Sequence, residues 1–440
     1  MDLMTTEPDE REESGSANSR MSHVRWTICA MLFFATSINY MDRQVIAILK
    51  PTLHQSIGLT EVNYGYIVLA FQLAYAIGVL GAGRLIDKLG TRLGYCVFMA
   101  IWSLSAMGHS LANTVLEFGV ARFFLGLGES GNFPAAIKAV AEWFPQRERS
   151  LATGIFNSGA NVGAILAPAI VPWVALRYSW RAAFLITGAF SALWILWWFR
   201  YYRKPADHSK ISGAELRHIQ EQTAAPTDPG ESGPGVRWLS LLGRRQTWAF
   251  AVGKFMTDPI WWFFLFWLPS YFSSKFHLSL SHLGLPLIVI YTMSSVGSIF
   301  GGWLPVPFIK LGLKPTNARL TVMFLCACAV VPVFTAGYLH SEWMAIALLS
   351  VATAAHQGWS ANLFTTASDM FPKRTVGAVV GIGTSAGSIG GMIIAAAAGW
   401  ILQLTHSYVP LFIVASCAYL VALLFIMALA PGLKKAEFAA

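Results

Sequence analysis

The sequence predicts an all-α polytopic membrane protein, with twelve transmembrane helices in two pseudo-symmetric six-helix bundles. Three observations carry that prediction. The 440 residues are 55% apolar and only 12% charged, with a mean hydropathy of +0.54. Soluble proteins carry about 25% charged residues, so this chain cannot wet the surface of a soluble globule of its size, and a soluble enzyme is excluded. Apolar runs of about 20 residues, the length that crosses a hydrocarbon core of about 30 Å, recur twelve times. The two halves also echo one another at a fixed offset.

Residues 1–25 are polar and acidic (Asp2, Glu7, Asp9, Glu10, Glu12, Glu13), the reverse of a secretory leader, and read as a disordered cytoplasmic tail. The spans are expected at 26–48, 61–83, 93–112, 115–138, 149–171 and 181–200, then 246–271, 283–309, 319–338, 342–366, 375–402 and 407–430. The N-terminal bundle is therefore 26–200 and the C-terminal bundle 246–430, with a short tail at 431–440. Between them, 201–245 holds Pro205, Pro226, Pro229, Pro234 and many charges, the composition of a solvated cytoplasmic linker. A short amphipathic helix fits near 214–222.

The net charge is +9, and position explains it better than any nucleic-acid partner. With both termini and the linker in the cytoplasm, 24 of the 31 Lys and Arg lie inside. Only Lys50, Arg177, Arg181 and Lys275 lie outside, which fixes the orientation expected in the inner (plasma) membrane. The five cysteines sit in apolar runs without ligand-like partners and read as packing residues, so neither a disulfide framework nor a metal site is expected. No cofactor is implied, and the protein reads as a monomer.

The repeat is specific. Glu142-Trp-Phe-Pro-Gln-Arg147 matches Asp369-Met-Phe-Pro-Lys-Arg374, 227 positions on. The same offset carries Gly154 onto Gly381, Ser158 onto Ser385 and Gly163 onto Gly390. Parallel six-helix repeats build one common class of secondary transporter.

Gly126-Leu-Gly128-Glu129-Ser-Gly131 spells a dinucleotide fingerprint, but it lies along an apolar helix with no strand before it. Close helix packing explains the glycines better. A phosphate-binding GxxxxGK[ST] loop is missing from the sequence, which argues against a nucleotide-driven pump.

Charges inside spans are costly and functional by default. They are Asp42, Arg43, Arg122, Glu129, Lys254 and Asp258. Arg122 and Glu129 are two turns apart and share one face of the fourth helix, about 10 Å from each other. Asn39, Tyr40 and Arg43 can share a face of the first helix, whereas Asp42 is turned about 100° away from Arg43. Gln72 with Tyr75, and Asn157 with Asn161, add polar stripes to helices 2 and 5. These charges are either structural ion pairs within the N-terminal bundle or a transport site. A buried guanidinium grips an organic carboxylate bidentately, and a carboxylate in low dielectric takes up a proton, so together they compose a proton–anion symporter.

The second half offers different groups. His356 stands 227 positions from Glu129, and His356-Gln357-Gly358-Trp359-Ser360 is expected to interrupt helix 10. Asp258-Pro259-Ile-Trp261-Trp262 is expected to interrupt helix 7 in the same way. Hydroxyl-rich ligands are commonly held by such polar and aromatic groups. His356 also reads as a satisfied structural histidine, and Lys254 as a cation reaching the interface.

Between helices 2 and 3, Gly83-Arg84-Leu85-Ile86-Asp87-Lys88-Leu89-Gly90-Thr91-Arg92 is either an ordinary charged turn or a lock between bundles, with Asp87 facing a helix N-terminus or an arginine. This loop resembles the signature of the major facilitator superfamily, Gly-x-Leu-x-Asp-x-x-Gly-x-Arg. The second-half copy is degraded, with Val306 where the acid belongs. Asn39 to Arg43, then Arg122 to Glu129 with Gly131 and Pro134, then Glu142-Trp-Phe-Pro with Arg147 to Ser150, resemble the anion:cation symporter family over most of 26–430. Thr257-Asp258-Pro259 with Trp262, Ala355-His356-Gln357 and Ser368-Asp369 look most like its bacterial hexuronate transporters.

The resemblance implies that Arg43 and Arg122 contact a substrate carboxylate and Tyr40 and Tyr75 its hydroxyls, while Asp42 and Glu129 carry coupling protons. Gln72, Asn161, Trp262, His356, Gln357 and Ser360 complete the expected substrate site, and Gly83, Asp87, Gly90 and Arg92 the conformational loop. The expected partners are a small organic anion (glucuronate or galacturonate), protons and the lipid bilayer. Symport of another anion (galactonate, glucarate, an aromatic acid or phosphate), a channel, and a non-transporting sensor on the same fold stay open. Proton against sodium coupling also stays open.

Overall fold

The computed structural model describes residues 21–223 and 238–436; most of the expected N-terminal tail and the middle of the linker lie outside them. Among the described residues the chain is helical throughout. The first half comprises α1 Val24–Ile57, α2 Glu61–Leu89, α3 Thr91–Gly108, α4 Val115–Glu129, α5 Asn132–Trp143, α6 Gln146–Arg177 and α7 Trp180–Tyr201. The linker contributes α8 Gly213–Thr223 and α9 Trp238–Leu241. The second half comprises α10 Arg245–Phe276, α11 Gly284–Trp303, α12 Pro305–Lys310, α13 Pro315–Val330, α14 Glu342–Met370, α15 Lys373–Thr405 and α16 Val409–Leu429. Twelve passes result when α4 joins α5, α11 joins α12, and α13 joins the 3-10 turns of Val331–Tyr338.

Local chemistry sets the ends. Thr114 accepts from the Glu117 amide while Glu117 accepts from the Thr114 amide, a capping box that opens α4. Gly90 holds φ +78° between α2 and α3, a conformation that only glycine adopts without strain. Three expectations for the helices need correction. α1 runs to Ile57 rather than ending at 48, because Lys50 is neutralised by Glu61 at 2.5 Å and does not force the helix to stop. The fourth pass is not one helix over 115–138. It breaks at Ser130–Gly131, where the Phe98 ring lies 2.2 Å from the place a Cβ on Gly131 would occupy. Conversely, α10 and α14 are continuous through Asp258-Pro259 and through His356 to Ser360. Gly358 serves close packing, with Gly301 of α11 against it, and Asn362 donates to the carbonyls of both glycines at 2.9 and 2.8 Å.

Within the first bundle α1 packs on α6, α2 on α4 and α3 on α7; in the second α10 packs on α15 and α11 on α14. Across the bundles α2 meets α15, α6 meets α11 and α1 meets α10. This contact is tightest at the end away from the termini. There Gly65 faces the Ala395 carbonyl and Gly399, and Gly284 faces the Pro168 carbonyl, all within what a Cβ would occupy. Tyr64 donates to the Phe266 carbonyl at 2.9 Å, and Trp400 to the Tyr66 hydroxyl at 3.2 Å.

At the opposite end α8 is strapped to the first bundle. Buried Glu215 accepts from the Ser22 hydroxyl, the Val24 and Arg25 amides and the Arg25 guanidinium at 2.5–3.2 Å. Glu148 accepts from Arg25 at 2.9 Å and contacts His218 at 3.0 Å. Burial alone would raise both carboxyls, but these donors prevail and hold both below their usual range. Large apolar side chains such as Leu80, Leu116, Ile299 and Leu404 face outward, and so do Cys328 and Cys417, which are not packing residues of the interior. Seven of the described helices are apolar and long enough to cross a bilayer on those grounds alone. Such an outer surface suits lipid, and the chain is a multi-pass membrane protein.

Candidate functional site between the bundles

The polar centre lies where α1, α2 and α4 face α10. Arg43 is buried, and its Nε donates to Glu129 Oε2 at 2.5 Å across the α1–α4 contact. Four aromatic rings surround its guanidinium carbon: Tyr40 at 4.7 Å, Tyr75 at 4.8 Å, Phe71 at 5.4 Å and Trp262 at 5.5 Å. Such rings attract a cation through their faces. Trp262 comes from the other bundle, so this cage spans both halves.

Arg122 behaves differently from expectation. It shares helix α4 with Glu129, yet among the described residues it forms no ion pair, and Glu129 pairs with Arg43 instead. The Arg122 guanidinium donates to the backbone carbonyls of Asp42 and Arg43, and lies 5.0 Å from Phe71 and 5.8 Å from Phe266. It thus fastens the middle of α1 to α4. Asp42 points away, as its 100° offset implied. Its Oδ2 accepts from Trp102 Nε1 at 2.9 Å and from the Ser191 hydroxyl at 3.2 Å, inside the first bundle.

Buried polar groups are normally hydrogen-bonded. Here five residues (Asn39, Arg43, Gln72, Arg122 and Glu129) each keep a buried polar atom without a protein partner. Each such atom costs about 1–3 kcal/mol, so their concentration in one place marks a site kept ready for a polar ligand. Gln72 and Trp262 both touch Gly391 of α15, so three helices converge beside the cage. Asn161 is half-buried on α6, two residues before Gly163, which packs on Tyr40.

Of the expected residues of the second half, Trp262 joins this cage, whereas His356 is engaged within its own bundle. His356 Nδ1 bonds the Tyr419 hydroxyl at 2.7 Å, and its ring stacks on Trp261 at 5.2 Å and 3°. That engagement fits the structural reading of this histidine. Gln357 and Ser360 are half-buried on the same helix. Lys254 does not reach for the interface: it is buried and pairs with Asp258 at 2.7 Å.

The loop after α2 also differs. Asp87 pairs with Lys138 of α5 at 2.7 Å rather than with an arginine or a helix end. Arg92 donates to the Phe199 carbonyl and covers that ring at 4.3 Å. Gly83 and Gly90 have open space around them. In this conformation these bonds stay within the first bundle.

Sequence reasoning passed over Phe71, Phe266, Trp102 and Ser191. Phe71 lies four residues before Tyr75, and Phe266 four after Trp262, so helical spacing from either neighbour could have found both. Trp102 and Ser191 depend on how α3 and α7 cross α1, which no local pattern records.

A twelve-pass chain of two packed halves with this centre matches the sequence profile of the Major Facilitator Superfamily over residues 32–395. The chain belongs to the Major Facilitator Superfamily. Among relatives within it, the galacturonate transporter of Dickeya chrysanthemi is 33% identical over 76% of this chain and 96% of its own length. The hexuronate transporter of Escherichia coli strain K12 is 30% identical over 90% of this chain and 91% of its own. The D-galactonate transporter of Escherichia coli O6:H1 is 26% identical over 93% and 96%. A crystal structure of a bacterial homologue of the human lysosomal transporter Spinster shares the fold. It has a TM-score of 0.68 and 16% identity, and covers 93% of this chain and 96% of its own. The expected superfamily is thereby borne out, and so is the likeness to hexuronate transporters, on the names of these relatives. The protein is a transporter of this superfamily.

Proposed function

We propose that the protein imports a hexuronate, such as galacturonate or glucuronate, by proton symport through alternating access. The caged Arg43–Glu129 pair is the observation that carries this reading. It offers an anion one guanidinium with a free nitrogen, a second guanidinium free of any carboxylate among the described residues, and a carboxylate that can be displaced. An arriving sugar acid competes with Glu129 for Arg43 and bridges to Arg122. Glu129, left without its cation in a low-dielectric site, is neutralised by a proton. Substrate and proton then favour each other reciprocally. Tyr40, Tyr75, Gln72 and Asn161 receive the hydroxyls, and Asp42 is a second carboxylate available for coupling.

The Lys and Arg distribution supports placing both termini in the cytoplasm. With that orientation the end where the two bundles pack most tightly faces outward. Relatives named for galactarate and glucarate are 27% identical, against 30–33% for those named for hexuronates, so the monocarboxylate reading is preferred. Proteoliposomes holding the purified protein, screened with sugar acids under an imposed pH gradient, test it. Accumulation of a hexuronate driven by the gradient is expected. Equal uptake with a sodium gradient and none with protons would replace the coupling ion, and no uptake of any sugar acid would remove the substrate class.

A further inference from the structure

The ion pair on α10 has no part in the coupling just described, yet it lies in line with the arginines. Lys254, Asp258, Trp262 and Phe266 follow one another at four-residue steps and so form one stripe along the helix. Phe266 reaches Arg122 and Trp262 reaches Arg43, so the next group along the stripe toward the termini is Asp258, about 6 Å of helix rise beyond Trp262. α15 is shaped to seat it. A Cβ on Gly387 would fall 2.3 Å from Asp258 Oδ2, one on Gly383 3.3 Å from Lys254, and one on Gly391 3.0 Å from the Trp262 ring. Three glycines at the same four-residue step therefore hold three successive members of the stripe. The Asp258 side chain is 17% exposed while that of Lys254 is 7% exposed, so the carboxylate is the member that meets solvent.

Resting on the symporter reading above, we infer that Asp258 is a specificity-determining residue: it accepts hydroxyls at the far end of a sugar monocarboxylate and excludes sugar dicarboxylates. A carboxylate is an acceptor only, so it suits hydroxyl donors and repels a second carboxylate. A sugar acid with its carboxylate on Arg43 and its ring along Trp262 sets its far hydroxyls beside Asp258. An aldarate would set a second negative charge there. Lys254 is the positioning residue. It holds Oδ2 at 2.7 Å, which fixes the direction of the carboxylate, and lies over Phe364 at 4.2 Å.

The test compares full-length wild type, Asp258→Asn and the charge-neutral double variant Lys254→Met/Asp258→Asn in proteoliposomes. Binding of galacturonate, a deoxy analogue lacking the far hydroxyls, and galactarate is measured. Losing one charge-assisted hydrogen bond should weaken galacturonate about tenfold or more and leave the deoxy analogue nearly unchanged. Galactarate should bind more tightly, because the repelling charge is gone. An unchanged galactarate-to-galacturonate ratio, or an equal loss for galacturonate and its deoxy analogue, overturns the inference while leaving the symporter reading intact. Wild type that binds no sugar acid overturns both. If the variants do not fold, hydrogen exchange on wild type decides: galacturonate must protect residues 254–262 and lactate must not, and protection by both or neither overturns the assignment.

Discussion

In the N-terminal bundle the buried carboxylate and its cation sit on different helices, Glu129 on α4 and Arg43 on α1. In the C-terminal bundle Asp258 and Lys254 sit one turn apart on α10. The distinction is mechanical as much as electrostatic. A pair that bridges helices reports to both when a ligand splits it, and here one of those helices is broken just after the carboxylate, at Ser130–Gly131. A pair within one continuous helix moves with that helix and stays formed. The first arrangement suits coupling, the second selection. His356, at the position equivalent to Glu129, sharpens the contrast: an ionisable pair in one half answers to a stacked and hydrogen-bonded ring in the other.

The largest effect should come from removing the charge that the bridging pair exchanges. Glu129→Gln mimics the protonated carboxylate, so substrate counterflow should persist while accumulation driven by a pH gradient disappears. Counterflow and gradient-driven uptake measured side by side check this, and retained accumulation would transfer the coupling role to Asp42. Next in size, Arg43→Lys and Arg122→Lys keep charge but lose the planar fork. A charge-assisted hydrogen bond is worth about 1.5–3 kcal/mol, so binding should weaken roughly tenfold to a hundredfold. Unchanged affinity in folded variants would return both arginines to a structural role.

On the other side of the comparison, Tyr419→Phe removes the hydroxyl that holds His356. A buried group left unpaired costs about 1–3 kcal/mol, so thermal stability should fall while substrate affinity holds. Lost affinity without lost stability would instead place His356 on the ligand. The smallest effect concerns the strap on α8. Glu148 and Glu215 lie before the span that begins at Leu151 and in the linker, and both titrate below the usual range. Their contribution is therefore complete above the unfolded value of about 4.3 and is lost as pH falls through the lower folded values. Hydrogen exchange over 213–220 should accelerate only below about pH 4.3; acceleration at pH 6 would contradict the assignment.

How much of this was legible beforehand follows from the range over which each feature acts. Twelve passes and the two halves could be read because a span is a local property of some 20 residues. The direction of Asp42 could be read because helical geometry fixes it one residue from Arg43. The partner of Glu129 could not. Arg122 is its neighbour along the helix, but the two-turn spacing says nothing of what α1 presents opposite. The break at Gly131 and the continuity at Gly358 were hidden for a related reason. Both are glycines at equivalent offsets, and only the neighbour decides: the Phe98 ring crowds the first, while bare backbone at Gly301 accepts the second.

The seal at the end away from the termini has a consequence for the balance of states. Gly65 and Gly399 bring α2 and α15 together backbone to backbone, and only two hydrogen bonds, from Tyr64 and Trp400, cross between the bundles among the described residues. Hydrogen bonds of this kind contribute about 0.5–1.5 kcal/mol each, whereas carrying a two-state equilibrium from 1:99 to 99:1 takes about 5.5 kcal/mol. In polar terms the catch on this door is light, so the packing of Tyr64 on Trp267 and of Phe71 on Phe266 carries the rest of the closure. A cargo that turns the population over must grip the opposite state strongly enough to outweigh that packing. Adding a single methyl at Gly65 would wedge that door ajar and tilt the whole distribution toward the opposite opening.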